Sequence, residues 1–223
     1  MRNAVVSALL LFLALNLLWF VAHALQLGSN GLFADRPEDF SRVFIDGASL
    51  ANAGIAVHMM AGALLTLGAP LQALPIVRNR WPNLHRKNGY VLFVLAMMTG
   101  IGGLSYIILQ GTIGGWWMSF WFATYGSLLM WSAVNTVRFA IARDLDRHFA
   151  WATRLIVLAV GSWIFRMHYV LWFILTDGLG SNEGLTGVFD RVQVVAFFLP
   201  YLLIAELLLR RRAAASTEAE VKG

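Results

Sequence analysis

An all-α integral membrane bundle of six transmembrane helices, with both termini in the cytoplasm, is the fold class this sequence predicts. Three observations carry that expectation. The 223 residues are 59% hydrophobic and only 13% charged, too apolar for an ordinary soluble domain. The apolar residues gather in six runs of roughly 20 or more residues, each able to cross a hydrocarbon layer about 30 Å thick. Basic residues crowd every second connection between those runs, which fixes an orientation.

The first run, 4–27, follows Met1 and Arg2. Its end, Ala22-His23-Ala24, imitates a signal-peptide cleavage site, but the run is longer than a usual signal core, so an uncleaved helix is expected. The second, 49–77, exceeds the length needed and contains Pro70 and Pro75. It is expected to kink, or to leave the bilayer and turn along its surface. The third to sixth runs are 90–110, 116–140, 150–175 and 188–209, and the tail 213–223 is polar and expected to be disordered. The first 212 residues thus form one transmembrane domain.

Arg2, then Arg78, Arg80, Arg86 and Lys87, then Arg138, Arg143 and Arg147, then Arg210, Arg211 and Arg212 all fall on one side of a six-span arrangement. The positive-inside rule makes that side cytoplasmic. The connections 27–47, 111–115 and 177–191 hold most of the acidic residues and only Arg36, Arg42 and Arg191 as bases. The net charge of +5 therefore reads as topology and contact with anionic lipid, without nucleic acid as a partner. Absence of cysteine excludes disulfides, thiolate metal sites, iron–sulfur clusters and covalently attached haem.

Ionisable groups inside such spans are costly, and each is a candidate functional residue. From the rise of about 1.5 Å per residue, His58 and His168 lie at one level, about 10 Å below the outer edge of the hydrocarbon. His85 and His148 fall at the inner interface. Facing histidines suit b-type haem, with His58 and His168 as the outer pair of iron ligands and His85 and His148 as an inner pair. Arg86, Arg154 and Arg166 could meet the propionates, and Gly100, Gly102 and Gly103 could make room for a flat ring. Each has a plainer reading: interfacial anchors for His85 and His148, a hydrogen-bonded core for His58 and His168, helix contact for the glycines. Arg166 cannot shed its proton, so it calls for a carboxylate (Asp46, Asp177 or Asp190) or a bound anion. Arg166 and His168, two residues apart, point to nearly opposite faces. Glu206 is expected to pair with Arg210.

The run HMMAG from His58, GAPLQ from Gly68, LHR from Leu84 and Gly89-Tyr90, followed by HFAWATR from His148 and by Arg166, resembles a bacterial membrane family known as domain of unknown function 2306. The resemblance covers the second to fifth helices, with a family-like core of about 49–176, and implies a membrane fold without assigning roles to the motif residues. Lys87-Asn88 departs from the apolar residues common before the glycine. Three functional classes stay open: a haem-binding redox protein working with quinone or another membrane redox protein; a transport or binding protein for an anionic lipid, quinone or small acid; and an accessory subunit whose polar groups only join helices. No Ser-His-Asp spacing, paired intramembrane carboxylates or His-Glu metal motif marks an enzyme.

Overall fold

The computed structural model describes the backbone of residues 2–222 and the side chains of Leu9, 11–13 and 15–215. Arg2 and the tail beyond Ala215 therefore lie outside the described side chains. Eight α-helices account for most of the chain: α1 (Arg2–Phe33), α2 (Ser49–Gln72), α3 (Pro75–Arg80), α4 (Pro82–Gln110), α5 (Gly115–Ile141), α6 (Leu145–Thr176), α7 (Val188–Ala196) and α8 (Leu199–Lys222). The segment from 213 to 222 continues α8.

Among the described residues, five stretches are long and apolar enough to cross a membrane: Leu11–Phe33, Ser49–Gln72, Pro82–Gln110, Leu145–Thr176 and Val188–Ala215. The 27-residue α5 has the length, at about 40 Å, but its lining dilutes the apolar character. Four tryptophans, with Ser119, Thr124, Ser127, Ser132, Asn135 and Thr136, stand where the other spans carry leucine and valine.

The predicted kink in the second run takes a definite form. Pro70 lies within the last turn of α2, the helix stops at Gln72, and Pro75 starts the short α3. The sixth run is broken, which its hydropathy does not reveal. α7 ends at Ala196, Phe197 and Phe198 form a turn, and α8 resumes at Leu199. Pro200 lacks the N–H that would continue the ladder. Both phenylalanines are buried, Phe197 packing at 4.8 Å and Phe198 at 5.5 Å from the ring of Tyr125 on α5. They close the central core with Leu65, Leu92, Leu129, Leu155 and Leu158.

Lipid tails give helices no hydrophobic reason to associate, so close packing and interhelical hydrogen bonds must hold the bundle. The α2–α4 contact shows both. A Cβ on Gly102 would stand 2.5 Å from the Gly54 carbonyl oxygen, a separation only glycine permits. Between α2 and α6, the Thr66 hydroxyl donates to the Ala159 carbonyl at 2.8 Å. Tyr125 donates its hydroxyl to the Leu158 carbonyl, tying α5 to α6.

Candidate functional site

The buried face of α6 runs through Leu155, Leu158 and Ala159, and the exposed Arg166 follows two turns beyond Leu158. Arg166 lies about 15 Å along the helix from its C-terminal end. Its Nη1 donates to the Ser162 carbonyl at 2.9 Å and to the Ser162 hydroxyl at 3.0 Å. Those acceptors sit one turn towards the middle of α6, so the guanidinium folds away from the near end of the helix and does not reach out towards it. Its other face lies 5.0 Å over the ring of Phe20 on α1. Protein surrounds the group on most sides, yet the side chain stays accessible.

Arg166 has no carboxylate partner among the described residues. This corrects the expectation of an ion pair with Asp46, Asp177 or Asp190. Asp190 is fully buried and is satisfied by neutral donors: the hydroxyls of Tyr169 (2.8 Å) and Ser181 (2.7 Å), and the N–H groups of Asn182 (3.3 Å) and Gly187 (2.9 Å). It fastens the 177–187 loop and caps α7. A carboxylate held by several backbone and hydroxyl donors needs no cation.

His58 lies on α2, which packs against α6 through the Thr66–Ala159 hydrogen bond. Its ring sits against Gly103, where a Cβ would stand 2.8 Å from Nδ1, and Nδ1 lies 2.8 Å from the Thr99 carbonyl. A carbonyl only accepts, so Nδ1 carries the proton and Nε2 presents its lone pair. Nε2 has no partner among the described residues.

His168 faces the other way. Nδ1 bonds the Gln193 Oε1 at 3.0 Å, and Nε2 meets the Tyr201 hydroxyl at 2.8 Å. Gln193 belongs to α7 and Tyr201 to α8, so one imidazole on α6 spans the break in the last helix. Gln193 in turn donates to the Phe165 carbonyl at 3.2 Å. His58 thus engages α4 while His168 spends both nitrogens on α7 and α8, and the outer pair is not brought to one iron position. The glycines proposed to flank a macrocycle are also filled: Gly100 meets Met130, Gly102 the α2 backbone and Gly103 the His58 ring.

His85 lies in the first turns of α4 and His148 near the start of α6. His148 Nδ1 bonds the Thr136 carbonyl at 2.9 Å, whereas His85 Nδ1 is buried without a partner. Arg86 is exposed. Arg154 is taken by Glu206, its Nη2 lying 2.6 Å and its Nε 3.2 Å from Oε2, with Trp151 4.6 Å beneath the guanidinium. Glu206 accepts from Arg210 as well, at 3.0 Å, so the expected i,i+4 pair forms within a larger cluster. Sequence spacing missed the Arg154–Glu206 pair, the Gln193–His168–Tyr201 chain and the Thr99 carbonyl. Ser162, the partner of Arg166, was missed as well, although its place four residues before the arginine carried a helical-spacing signal.

Among the described residues no three of His, Asp and Glu gather as a metal ion would require. Two open hollows lie elsewhere. One of about 540 Å³ runs along α5 past Thr124, Ser127 and Trp131, and one of about 580 Å³ lies by Asp35, Arg36, Asp46 and Asn52.

A bundle of apolar helices of spanning length, glycine-tight at its central contact and holding charged groups within its helices, defines a multi-helical membrane protein. The chain belongs to the family described as "Predicted membrane protein (DUF2306)", which matches residues 55–209. That match takes in His58, His85, His148, Arg154, Arg166 and His168, and also Gln193, Tyr201 and Glu206. No curated protein and no solved structure matches the chain.

Proposed function

We propose that this chain is a six-span protein of the bacterial inner membrane, with both termini inside, that binds or carries an acidic molecule at Arg166. Support for the sixth span comes from α5 itself. It has spanning length and is joined to α4 by residues 111–114 and to α6 by residues 142–144, so it runs antiparallel to both across the same thickness. Gly111 and Gly115, at φ of 75° and 70°, allow the first of these tight reversals. Arginine asymmetry then places 81–84 and 142–146 in the cytoplasm. Reporter fusions after Leu84 and Asp146 should report a cytoplasmic position, and fusions near Asp39 and Glu183 an external one. Leu84 and Glu183 on the same side would end the six-span arrangement.

One observation carries the binding reading: a guanidinium that cannot deprotonate, held within the bundle, accessible, and contacted only by neutral groups among the described residues. Such a charge calls for a counter-ion. Its Nε–H and Nη2–H groups have no partner among the described residues and match the two oxygens of a carboxylate or phosphate. Phe20, 5.0 Å from the guanidinium, gives the site an apolar wall that suits an acid with a hydrocarbon chain. Equilibrium binding of radiolabelled octanoate to the purified protein should be saturable and fall at least tenfold in Arg166→Leu. Equal binding by the variant would remove Arg166 from the site.

A second reading rests on the orphaned His85 Nδ1. Haem on the inner pair would use that nitrogen or its ring partner as a ligand. Oxidised and reduced absorption spectra of protein expressed with ample haem test it, and a spectrum without Soret absorption would discard it.

A further inference from the structure

We propose that residues 75–87, which make up α3 and the first turns of α4, are a binding surface for the headgroups of anionic phospholipids. Arg78, Arg80, Arg86 and Lys87 meet the phosphates, and Ile76, Trp81 and Leu84 enter the border of the acyl chains. The inference stands independently of the reading of Arg166.

Both α2 and α4 are long and apolar enough to span, so what joins them lies at a face of the membrane. The join is held firmly. α3 opens on Pro75 and α4 on Pro82, in first turns where a missing N–H costs nothing. Trp81, between them, is bonded both ways: its N–H donates to the Val77 carbonyl at 3.2 Å, and its carbonyl accepts from the His85 N–H at 2.9 Å. Gln72, the last residue of α2, donates to the His85 carbonyl and accepts from the Asn88 amide at 2.8 Å, which ties the end of α2 to the start of α4 across α3. Leu74 is buried and Val77 half-buried, whereas every residue from Arg78 to Leu84 is exposed. The stretch is a fixed shelf on the side of the bundle.

Its charge is unanswered. The shelf carries four bases and no carboxylate, and no Asp or Glu occurs anywhere between Asp46 and Asp144. None of the four forms an ion pair among the described residues; Arg78 donates from Nε to the neutral Asn79 side chain at 3.4 Å. The basic stretches 138–147 and 206–212 differ, since each holds a carboxylate of its own: Arg147 pairs with Asp144 at 3.4 Å and Arg210 with Glu206 at 3.0 Å. Among the bases of the shelf stand Ile76, Trp81 and Leu84, which are 56%, 50% and 54% exposed. Bare apolar groups and unpaired bases in one short stretch fit the border between headgroups and acyl chains. Tryptophan favours that depth, and arginine and lysine lay their stems along the chains while their charged ends reach the phosphates. Guanidinium forks match phosphate oxygens in pairs.

Native mass spectrometry of the full chain, released from nanodiscs of equal parts phosphatidylglycerol and phosphatidylcholine, reads which lipid stays bound. The wild type should retain phosphatidylglycerol over phosphatidylcholine by about fivefold or more, the effect of a single base near an anionic surface. Arg78→Gln, Arg80→Gln, Arg86→Gln and Lys87→Gln combined should remove most of that preference. Arg138→Gln, Arg143→Gln and Arg147→Gln combined should keep it. No preference in the wild type, an unchanged preference in the first variant, or an equal loss in the second would overturn the assignment. Glycerol phosphate in large excess should leave the bound lipid in place, because it has no chains to engage Ile76, Trp81 and Leu84; displacement by it would overturn a lipid surface in favour of a site for free phosphate esters. Should the first variant fail to insert, phenylglyoxal, a neutral reagent for guanidinium groups, decides in the wild type. Arg78, Arg80 and Arg86 should react several-fold more slowly in phosphatidylglycerol nanodiscs than in phosphatidylcholine nanodiscs, and equal rates contradict the proposal.

Discussion

Two arginines of α6, Arg154 and Arg166, twelve residues apart, meet the same physical problem in opposite ways. Arg154 is given a full set of partners: Glu206 on α8 accepts its Nη2 and Nε, and Trp151 lies under its face. Arg166 is given only a neutral carbonyl, a neutral hydroxyl and an aromatic ring. A cation whose counter-charge is built into the chain joins helices. One whose counter-charge is missing from the described residues is set to receive it from outside. Residue type is the same at the two positions, so the partner, and not the arginine, separates a structural charge from a binding one.

Breaking the paired end should cost the most stability. Arg154→Leu strands Glu206 with Arg210 as its remaining partner. The loss should fall between the ~1 kcal/mol of an exposed pair and the ~3–5 kcal/mol of a buried one, since both side chains keep partial exposure. Adding Glu206→Gln to Arg154→Leu should restore part of the melting temperature. Additive losses in the double mutant would mean that the pair contributes little beyond its separate contacts.

A smaller effect is expected where His168 joins the broken last helix. His168→Phe fills the space but leaves the Gln193 Oε1 and the Tyr201 hydroxyl without their imidazole partner. A loss of about 1–2 kcal/mol follows, near the upper end for hydrogen bonds between membrane helices. Hydrogen exchange should quicken at Phe197 to Leu202, around the break. Unchanged exchange there would show that α7 and α8 hold together without the imidazole.

Much of the helical framework was legible because hydropathy runs and proline positions act locally. The second run ended at the two prolines, and the glycines of α4 marked a close helix contact. Partnerships were far less legible, because they depend on which face of one helix meets which face of another. The helical rise along the sequence put His58 and His168 at one expected depth, but their rings bond to different helices, which sequence position does not give. The break at Phe197–Phe198 was hidden because two buried aromatic residues keep the hydropathy high through the turn. Asp190 looked available to an arginine, but the loop folds back to supply four neutral donors.

The central claim is that Arg166 waits for a counter-ion that Arg154 already has. Melting temperatures of the wild type, Arg154→Leu and Arg166→Leu, each measured with and without saturating octanoate, test it directly. A ligand that binds only the folded state stabilises it by mass action, by about 2.7 kcal/mol at a concentration one hundred times its Kd. Octanoate should raise the melting temperature of the wild type and of Arg154→Leu, and leave that of Arg166→Leu unmoved. Without ligand, Arg166→Leu should melt close to the wild type, because its loss strands no carboxylate among the described residues, while Arg154→Leu melts well below it. An octanoate shift that survives in Arg166→Leu, or a ligand-free loss there as deep as in Arg154→Leu, would contradict the account.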